Sequence, residues 1–126
     1  MTEDATGRRY GFERCEFKRV HAHGGEREIS FARVLERIRG PLRFIDLSVL
    51  APGTEIGRHA HADDNEELYI VVNGHGRMSL DDNEFEVKSG DVILNRPGGS
   101  HGLRNTGTEE LRIVVIEVDA IREDVP

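Results

Sequence analysis

Between Thr54 and Val118 the sequence is a succession of short apolar segments separated by turn signals. Among these signals are Asn73-Gly74, Ser89-Gly90 and Pro97-Gly98-Gly99. Segments of roughly four to eight residues that are rich in β-branched and aromatic side chains, and are bounded by such turns, are typical of β-strands. The chain contains 14 glycines and no convincing long amphipathic helical pattern. We therefore expect an all-β fold, an antiparallel sandwich or barrel.

The predicted strands begin upstream of Thr54. Ile29 and Phe31 open an alternating segment, and a strong strand, LRFIDLSVL, follows the Gly40-Pro41 break. Between them VLERIR could be a short helix or a strand with a loop, and we favour the strand. The later predicted strands are TEIGRHAH, ELYIVV, GRMSL, EFEV, DVILN, HGLRN and LRIVVIEV.

The length of 126 residues allows one compact domain and is too short for two ordinary ones. Residues 1–14 are polar and rich in charge, so we expect a flexible N-terminal arm in front of a single domain over residues 15–126. Cys15 has no second cysteine with which to form a disulfide or a zinc pair.

The overall charge and hydropathy exclude several classes of partner. A net charge of −7 and a pI near 5.3 give no reason to expect binding to nucleic acid. The N-terminus lacks the apolar core of a signal peptide, and runs such as YIVV are far too short to cross a bilayer. We therefore expect a soluble, cytoplasmic protein with no membrane partner.

Two histidines in HAHADDNEELYIVVNG suggest part of a metal site. Residues i and i+2 of a strand point to the same face, so His59 and His61 could chelate one ion. Glu66 or Glu67, at the start of the next strand, could add a carboxylate oxygen, a set that suits first-row transition metals. The same residues could equally belong to a solvated loop, since short His-x-His matches arise by chance.

Further residues extend this pattern and resemble the two sequence motifs of the cupin family. In the first motif, five residues separate Gly53 from His59, and six residues separate Glu67 from Gly74. The second motif is matched by Gly90, Gly98, His101 and Asn105, with Arg96 in place of its proline. The resemblance covers roughly residues 44–118.

The resemblance implies both a fold and a set of metal ligands. The fold is a small antiparallel β-barrel or jelly roll, also called a double-stranded β-helix. The implied ligands of one divalent transition metal ion (Fe, Mn, Ni, Zn, Co or Cu) are His59, His61, His101 and one glutamate. Arg96 replaces a turn residue that is not a ligand, so this departure leaves the ligand set intact.

The spacing within the motif leaves two candidates for the glutamate ligand. Counting from His61 favours Glu66, whereas counting back from Gly74 favours Glu67. A loop absorbs an extra residue at small cost, whereas slipping a strand by one residue turns all its side chains to the opposite face. We therefore predict Glu67. Leu68, Ile70 and Val72 on the other face look buried as well, so hydrophobicity alone does not exclude Glu66.

The resemblance implies a small metalloenzyme of dioxygenase, isomerase or lyase type that acts on a polar small molecule. The alternative is a non-catalytic module that binds or senses a small ligand in the same barrel. Dimers are frequent in the family, so we also expect a homodimer. Tyr69 and Arg43 are candidate pocket residues and Asp46 is a polar break in an apolar strand, although each could equally be structural or exposed. We leave His21, His23 and His75 outside the predicted site.

Overall fold

The computed structural model describes residues 5–36 and 40–120. In this part of the chain ten strands form two antiparallel sheets. The strands are β1 (Lys18–Val20), β2 (Ile29–Glu36), β3 (Leu42–Leu50), β4 (Glu55–Ala60), β5 (Asn65–Asn73), β6 (His75–Leu80), β7 (Asn83–Lys88), β8 (Val92–Asn95), β9 (Ser100–Asn105) and β10 (Leu111–Asp119).

The larger sheet has the strand order β1-β2-β3-β10-β5-β8, and the smaller sheet has the order β4-β9-β6-β7. Buried apolar side chains from both sheets form one shared core, so the sheets pack face to face. This confirms the predicted antiparallel all-β fold. The main core residues are Leu50, Ile56, Tyr69, Val71, Met78, Val87, Ile93, Leu103, Leu111 and Ile113.

Strands β2 to β10 fall where the apolar segments and turn signals predicted them, whereas the short β1 was not predicted. In the ambiguous VLERIR segment, Val34, Leu35 and Glu36 continue β2, which confirms the choice of a strand there. Residues 37–39 of that segment lie outside the described part. Gly74 has a φ of +82° in the turn between β5 and β6, and a Cβ there would overlap the backbone carbonyl of Glu110. Only glycine meets both conditions without strain.

Strand β5 has two faces of different character. Glu67, Tyr69 and Val71 are buried in the interior. On the opposite face Leu68 and Ile70 are partly exposed, and Val72 is 41% exposed. The expectation that both faces are buried was therefore wrong for Val72, and Leu68 and Ile70 are only partly covered.

The described part of the predicted N-terminal arm contacts the barrel. The Phe12 and Phe17 rings stack at 6.3 Å between centroids, and the Arg112 guanidinium of β10 lies 5.4 Å from the centre of the Phe12 ring. Arg112 also lies 3.3 Å from the carboxylate of Glu13. The division into a flexible arm and a domain from residue 15 stays a prediction.

No helix in residues 5–36 and 40–120 has the length and apolar character needed to cross a membrane. The cytoplasmic location stays a prediction.

Candidate metal centre

Four side chains from three strands and one loop meet inside the barrel. His59 lies near the end of β4 and is paired with His101 of the neighbouring β9. His61 follows β4 directly, and Glu67 reaches the same point from β5 of the larger sheet. The structure thus brings together all four of the residues predicted as ligands, and one ligand atom from each lies within 4.8 Å of the others.

The size of this cluster suits a single transition metal ion. Imidazole nitrogen and carboxylate oxygen bind such ions at about 2.0–2.2 Å, so donor atoms on opposite sides of one ion are roughly 4.4 Å apart. The 4.8 Å span is within a few tenths of an ångström of that value. Small movements of the side chains would therefore bring all four donors into bonding distance.

Hydrogen bonds turn two of the imidazoles toward the cluster. The Nδ1 of His59 lies 2.7 Å from the carbonyl oxygen of Gly57, and the Nδ1 of His61 lies 2.9 Å from the Oδ1 of Asn65. Both partners only accept hydrogen bonds, so each Nδ1 carries the proton and donates it. The Nε2 lone pair is then free to bind a metal, which is how metal-ligating histidines are usually oriented.

One donor atom in the cluster is buried without a hydrogen-bond partner. The Nε2 of His61 lies 3.4 Å from the Oε1 of Glu67, but the geometry is not that of a hydrogen bond. Both polar side-chain atoms of Asn95, which is paired with Glu67 across β5 and β8, are also buried and without a partner among the described residues. A buried polar atom that is left unpaired is costly. An ion at the centre would satisfy His61, so the donor set fits a metal.

The electrostatics of the cluster favour an ionised glutamate. Burial alone would raise the pKa of Glu67, but its contacts with His101 and His61 outweigh burial and lower that pKa to about 2. The Oε1 of Glu67 lies 3.2 Å from the Nε2 of His101. The Glu67 carboxylate in turn raises the pKa of His61. Because a metal ion binds neutral imidazole and ionised carboxylate, metal binding at this cluster would compete with protons.

His59 and Tyr69 are uncharged at neutral pH. Burial lowers the pKa of His59 to about 4, so its imidazole is neutral and able to bind a metal. Burial, followed by the negative charge of Glu67, raises the pKa of Tyr69 well above its usual value, so this side chain stays a phenol. The Tyr69 ring stands perpendicular to that of His101 at 5.3 Å and helps to hold it in place.

The two adjacent glutamates point to opposite faces of β5. Glu67 is buried and points into the barrel, whereas Glu66 is partly exposed on the opposite face of β5. Residues 61–64 form the loop before β5, in agreement with an extra residue placed there. Glu66 is therefore not part of the cluster. The assignment of the four clustered residues as metal ligands is taken up as a proposal below.

A second carboxylate lies behind the cluster and was not predicted from the sequence. The Oε1 of Glu117 is 3.8 Å from the Nδ1 of His61, and its Oε2 is 3.9 Å from the Nη1 of Arg43. Burial, and then the charge of Glu67, raises the pKa of Glu117. Glu117 is paired with Glu67 across β10 and β5, and this long-range register leaves no local signal in the sequence.

His23, which we left outside the predicted site, contacts it. Its ring stacks on His59 with 3.4 Å between centroids and 6° between planes. It belongs to a short 3₁₀ helix, Ala22–Gly24, with a φ of +50° that is unusual for a residue other than glycine. The His-Ala-His spacing was visible at His21 and His23, but the packing of this helix on β4 was not.

Gly57 makes room for that helix. A Cβ at this position would overlap the backbone carbonyl oxygen of His23. Gly57→Ala is expected to displace the 3₁₀ helix and to lower the free energy of unfolding by about 1–3 kcal/mol, the usual cost of overpacking. Urea unfolding measures the effect. Gly11→Ala is the control, because its added Cβ would meet only the Arg14 side chain at 3.8 Å. Equal stability of the two variants would contradict the prediction.

A cavity of about 310 Å³ opens beside the cluster. Tyr69, one of the two pocket candidates from the sequence, lines it together with Asp46, whereas Arg43, the other candidate, is turned away toward Asp64, Glu117 and Asp119. Its lining residues are Val20, His21, Ala22, His23, Ile29, Phe31, Arg33, Phe44, Asp46, Ser48, Ile56, Glu67, Tyr69 and Val115. Half of these side chains are apolar, and Glu67 is the member of the four-residue cluster that lines the cavity.

Known proteins show similarity to both the sequence and the fold. An oxalate-binding protein of Thermotoga maritima is 30% identical over 95 residues, which are 74% of this chain and 78% of that protein. An uncharacterized protein of Methanocaldococcus jannaschii is 36% identical over 67 residues, 53% of each chain. A solved structure described as a predicted oxalate decarboxylase of Thermotoga maritima superposes with a TM-score of 0.82. It is 25% identical, and the match covers 86% of this chain and 96% of that one.

The family model of the cupin domain matches residues 46–117, more than half of the chain. These residues run from β3 to β10 and include all four side chains of the cluster. The sequence motifs, the two-sheet barrel and the family model agree, and this chain belongs to the cupin family.

Proposed function

We propose that this protein is a metal-dependent enzyme that binds one divalent transition metal ion through His59, His61, Glu67 and His101. The observation that supports this most directly is the convergence of four donors around one point, with the Nε2 of His61 buried and unpaired. The substrate would be a small molecule bound in the adjoining cavity. Sequence relatives named for oxalate binding or decarboxylation support a small organic acid.

The donor set indicates the chemistry available at such a site. With four protein ligands, an octahedral ion would have two positions for substrate, and it would act as a Lewis acid or redox centre. Glu67 supplies the negative charge of the site, and the hydrogen bonds at Gly57 and Asn65 hold the histidine rings in orientation. Apolar side chains such as Phe44 and Val115 line the adjoining cavity and would favour the apolar parts of a substrate.

A non-catalytic binding module is the second candidate. The Thermotoga maritima relative is named as a binding protein. In addition, the Asp46 carboxylate, which faces the cavity, is held by two hydrogen bonds from Arg33 and is not free to act as a general base. The two functions differ in turnover but share the same metal site.

The first experiment measures metal content and turnover together. Protein purified without a chelator or an affinity tag is analysed for metal, and apoprotein is then reconstituted with Fe(II), Mn(II), Co(II), Ni(II), Cu(II) or Zn(II). Oxygen uptake and loss of candidate organic acids are followed with each ion. Metal-dependent turnover supports the enzyme, and metal-dependent binding without turnover supports the binding module. Failure to retain any of these ions would contradict both.

A homodimer stays a prediction, which the outer face of the larger sheet supports. Apolar side chains that point away from the interior form a continuous face on its neighbouring strands β8, β5 and β10, with Val92 62% exposed and Leu94 39% exposed. Apolar patches of this kind commonly mark interfaces between proteins. The outer-face residues are Leu68, Ile70, Val72, Val92, Leu94, Val114 and Ile116.

Val92→Glu is expected to convert a dimer into a monomer, because it places a charge within an apolar interface. Light scattering coupled to size-exclusion chromatography measures the mass. Thr108→Glu, an exposed change away from the outer face, is the control and should keep the mass of the parent. A monomeric parent protein, or a dimer that persists in Val92→Glu, would contradict this arrangement.

A further inference from the structure

We propose that the cavity takes a monoanionic acid that chelates the metal through two oxygens and carries an apolar body, in preference to oxalate itself. The chelating end would be a carboxylate with an oxo or hydroxyl oxygen on the adjacent carbon. This inference rests on the proposed metal site and concerns which ligand that site selects. Three features of the cavity support it: its size and lining, its charge, and the pairing of its arginine.

The cavity is large and apolar relative to oxalate. Its volume of about 310 Å³ is at the lower end of the roughly 300–1,000 Å³ found for pockets that hold drug-sized molecules. Oxalate is two carboxylates joined by one bond, with no apolar surface to bury. The apolar part of the lining includes Ile29, Phe31, Phe44, Ile56 and Val115. A ligand with an apolar body would bury surface there and gain affinity.

The charge of the site matches a monoanion. A divalent ion and the Glu67 carboxylate together carry one net positive charge, since the three histidines are neutral when they bind a metal. A monoanionic ligand brings the buried site to neutrality, whereas the oxalate dianion would leave one excess negative charge. Burying an uncompensated charge is costly.

The cavity arginine is already engaged. The Nε of Arg33 lies 2.8 Å from the Oδ1 of Asp46, and its Nη2 lies 3.1 Å from the Oδ2. The same guanidinium lies 3.9 Å from the centre of the Phe44 ring. Among the described residues that line the cavity, no other arginine or lysine is present to bind a second carboxylate. Of the two histidines in the lining, His21 contacts the backbone carbonyl of Gly25 and His23 stacks on His59. The part of the ligand that lies away from the metal is therefore expected to be uncharged.

Titration calorimetry on metal-loaded protein compares three ligands: oxalate, pyruvate and phenylpyruvate. Pyruvate has the proposed chelating end without the body, and phenylpyruvate has both. We expect phenylpyruvate to bind at least about tenfold more tightly than either of the others, from burial of its ring. Oxalate binding as tightly as phenylpyruvate, or absence of phenylpyruvate binding to protein that retains its metal, would overturn the inference.

The variant Phe31→Ala tests the contribution of the apolar lining to ligand binding independently of the metal site. Phe31 is partly buried and lines the cavity but belongs to β2, away from the four clustered residues. The variant should lose about tenfold in affinity for phenylpyruvate, keep its affinity for pyruvate and retain its metal. An unchanged affinity for phenylpyruvate would contradict the proposed placement of its apolar body in the cavity.

The experiments also distinguish failure of this inference from failure of the proposed function. If the parent protein retains no metal, the proposed function itself is contradicted. If metal is bound and oxalate is preferred, only this inference is contradicted.

Discussion

His101→Ala is expected to reduce the affinity for the metal by more than about 100-fold. Loss of an outer hydrogen-bond partner of a ligand alone costs roughly 10- to 100-fold, and loss of a direct ligand removes more. His101 is 1% exposed, and its Nε2 lies 3.2 Å from the Oε1 of Glu67, so its removal leaves a gap inside the cluster. Elemental analysis after dialysis, followed by competition with a chromogenic chelator, measures the change.

Two further variants make the result interpretable. Glu67→Gln preserves the volume of the side chain, so it tests the loss of a ligand without creating a cavity in the core. His75→Ala removes an exposed histidine at the start of β6, outside the cluster, and should retain the metal content of the parent. Parental metal affinity in folded His101→Ala and Glu67→Gln would contradict the assignment of these residues as ligands, and a loss in His75→Ala would point to a different site.

The second large effect expected is a rise in thermal stability on metal binding. An ion present at 100 times its dissociation constant stabilises the folded state by about 2.7 kcal/mol when it does not bind the unfolded chain. For a domain of this size that corresponds to a rise in Tm of roughly 10 °C. The physical reason is the replacement of an unpaired buried donor, the Nε2 of His61, by a metal bond. Differential scanning calorimetry of apoprotein with and without added ion measures the shift.

The choice of ion and variant serves as the control for this experiment. Mg²⁺ prefers oxygen ligands and should give little shift at the same concentration, because three of the four donors are imidazole nitrogens. Zn²⁺ or Mn²⁺ should give a large shift that a chelator reverses. In His101→Ala the shift should disappear. A rise in Tm of equal size in that variant would show that the ions stabilise the protein at some other place.

The two candidate functions make different demands on the same cavity. An enzyme needs the bound acid to react at the metal, whereas a binding module needs only to hold it. Arg33 and Asp46 neutralise each other in the structure, and this pairing suits retention of an uncharged ligand body more directly than proton transfer. The comparison of turnover with binding across ions is therefore the measurement that separates the two.

The fold was predictable because its signals are local. Turn residues such as Asn73-Gly74 and Ser89-Gly90 mark the ends of strands in any context, and alternating apolar residues mark their inner faces. The same local reasoning placed the extra residue of the first motif in the loop before β5, and the structure has Glu67 pointing inward. Local reasoning gave the wrong burial for the opposite face of β5. An apolar run in the sequence does not show whether its side chains pack inside the chain or lie at the molecular surface.

The amino-acid sequence by itself indicated the class of fold and nine of the ten described strands, since these depend on residue types at short spacings, and its resemblance to the cupin motifs supplied the candidate ligands. Only the tertiary structure placed His23 against His59, and Glu117 between His61 and Arg43. These contacts join residues far apart in the chain, and they depend on the register of β10 against β5 and on the packing of the short 3₁₀ helix against Gly57. Register and packing arise from the simultaneous burial of many side chains, and no short stretch of sequence records their outcome.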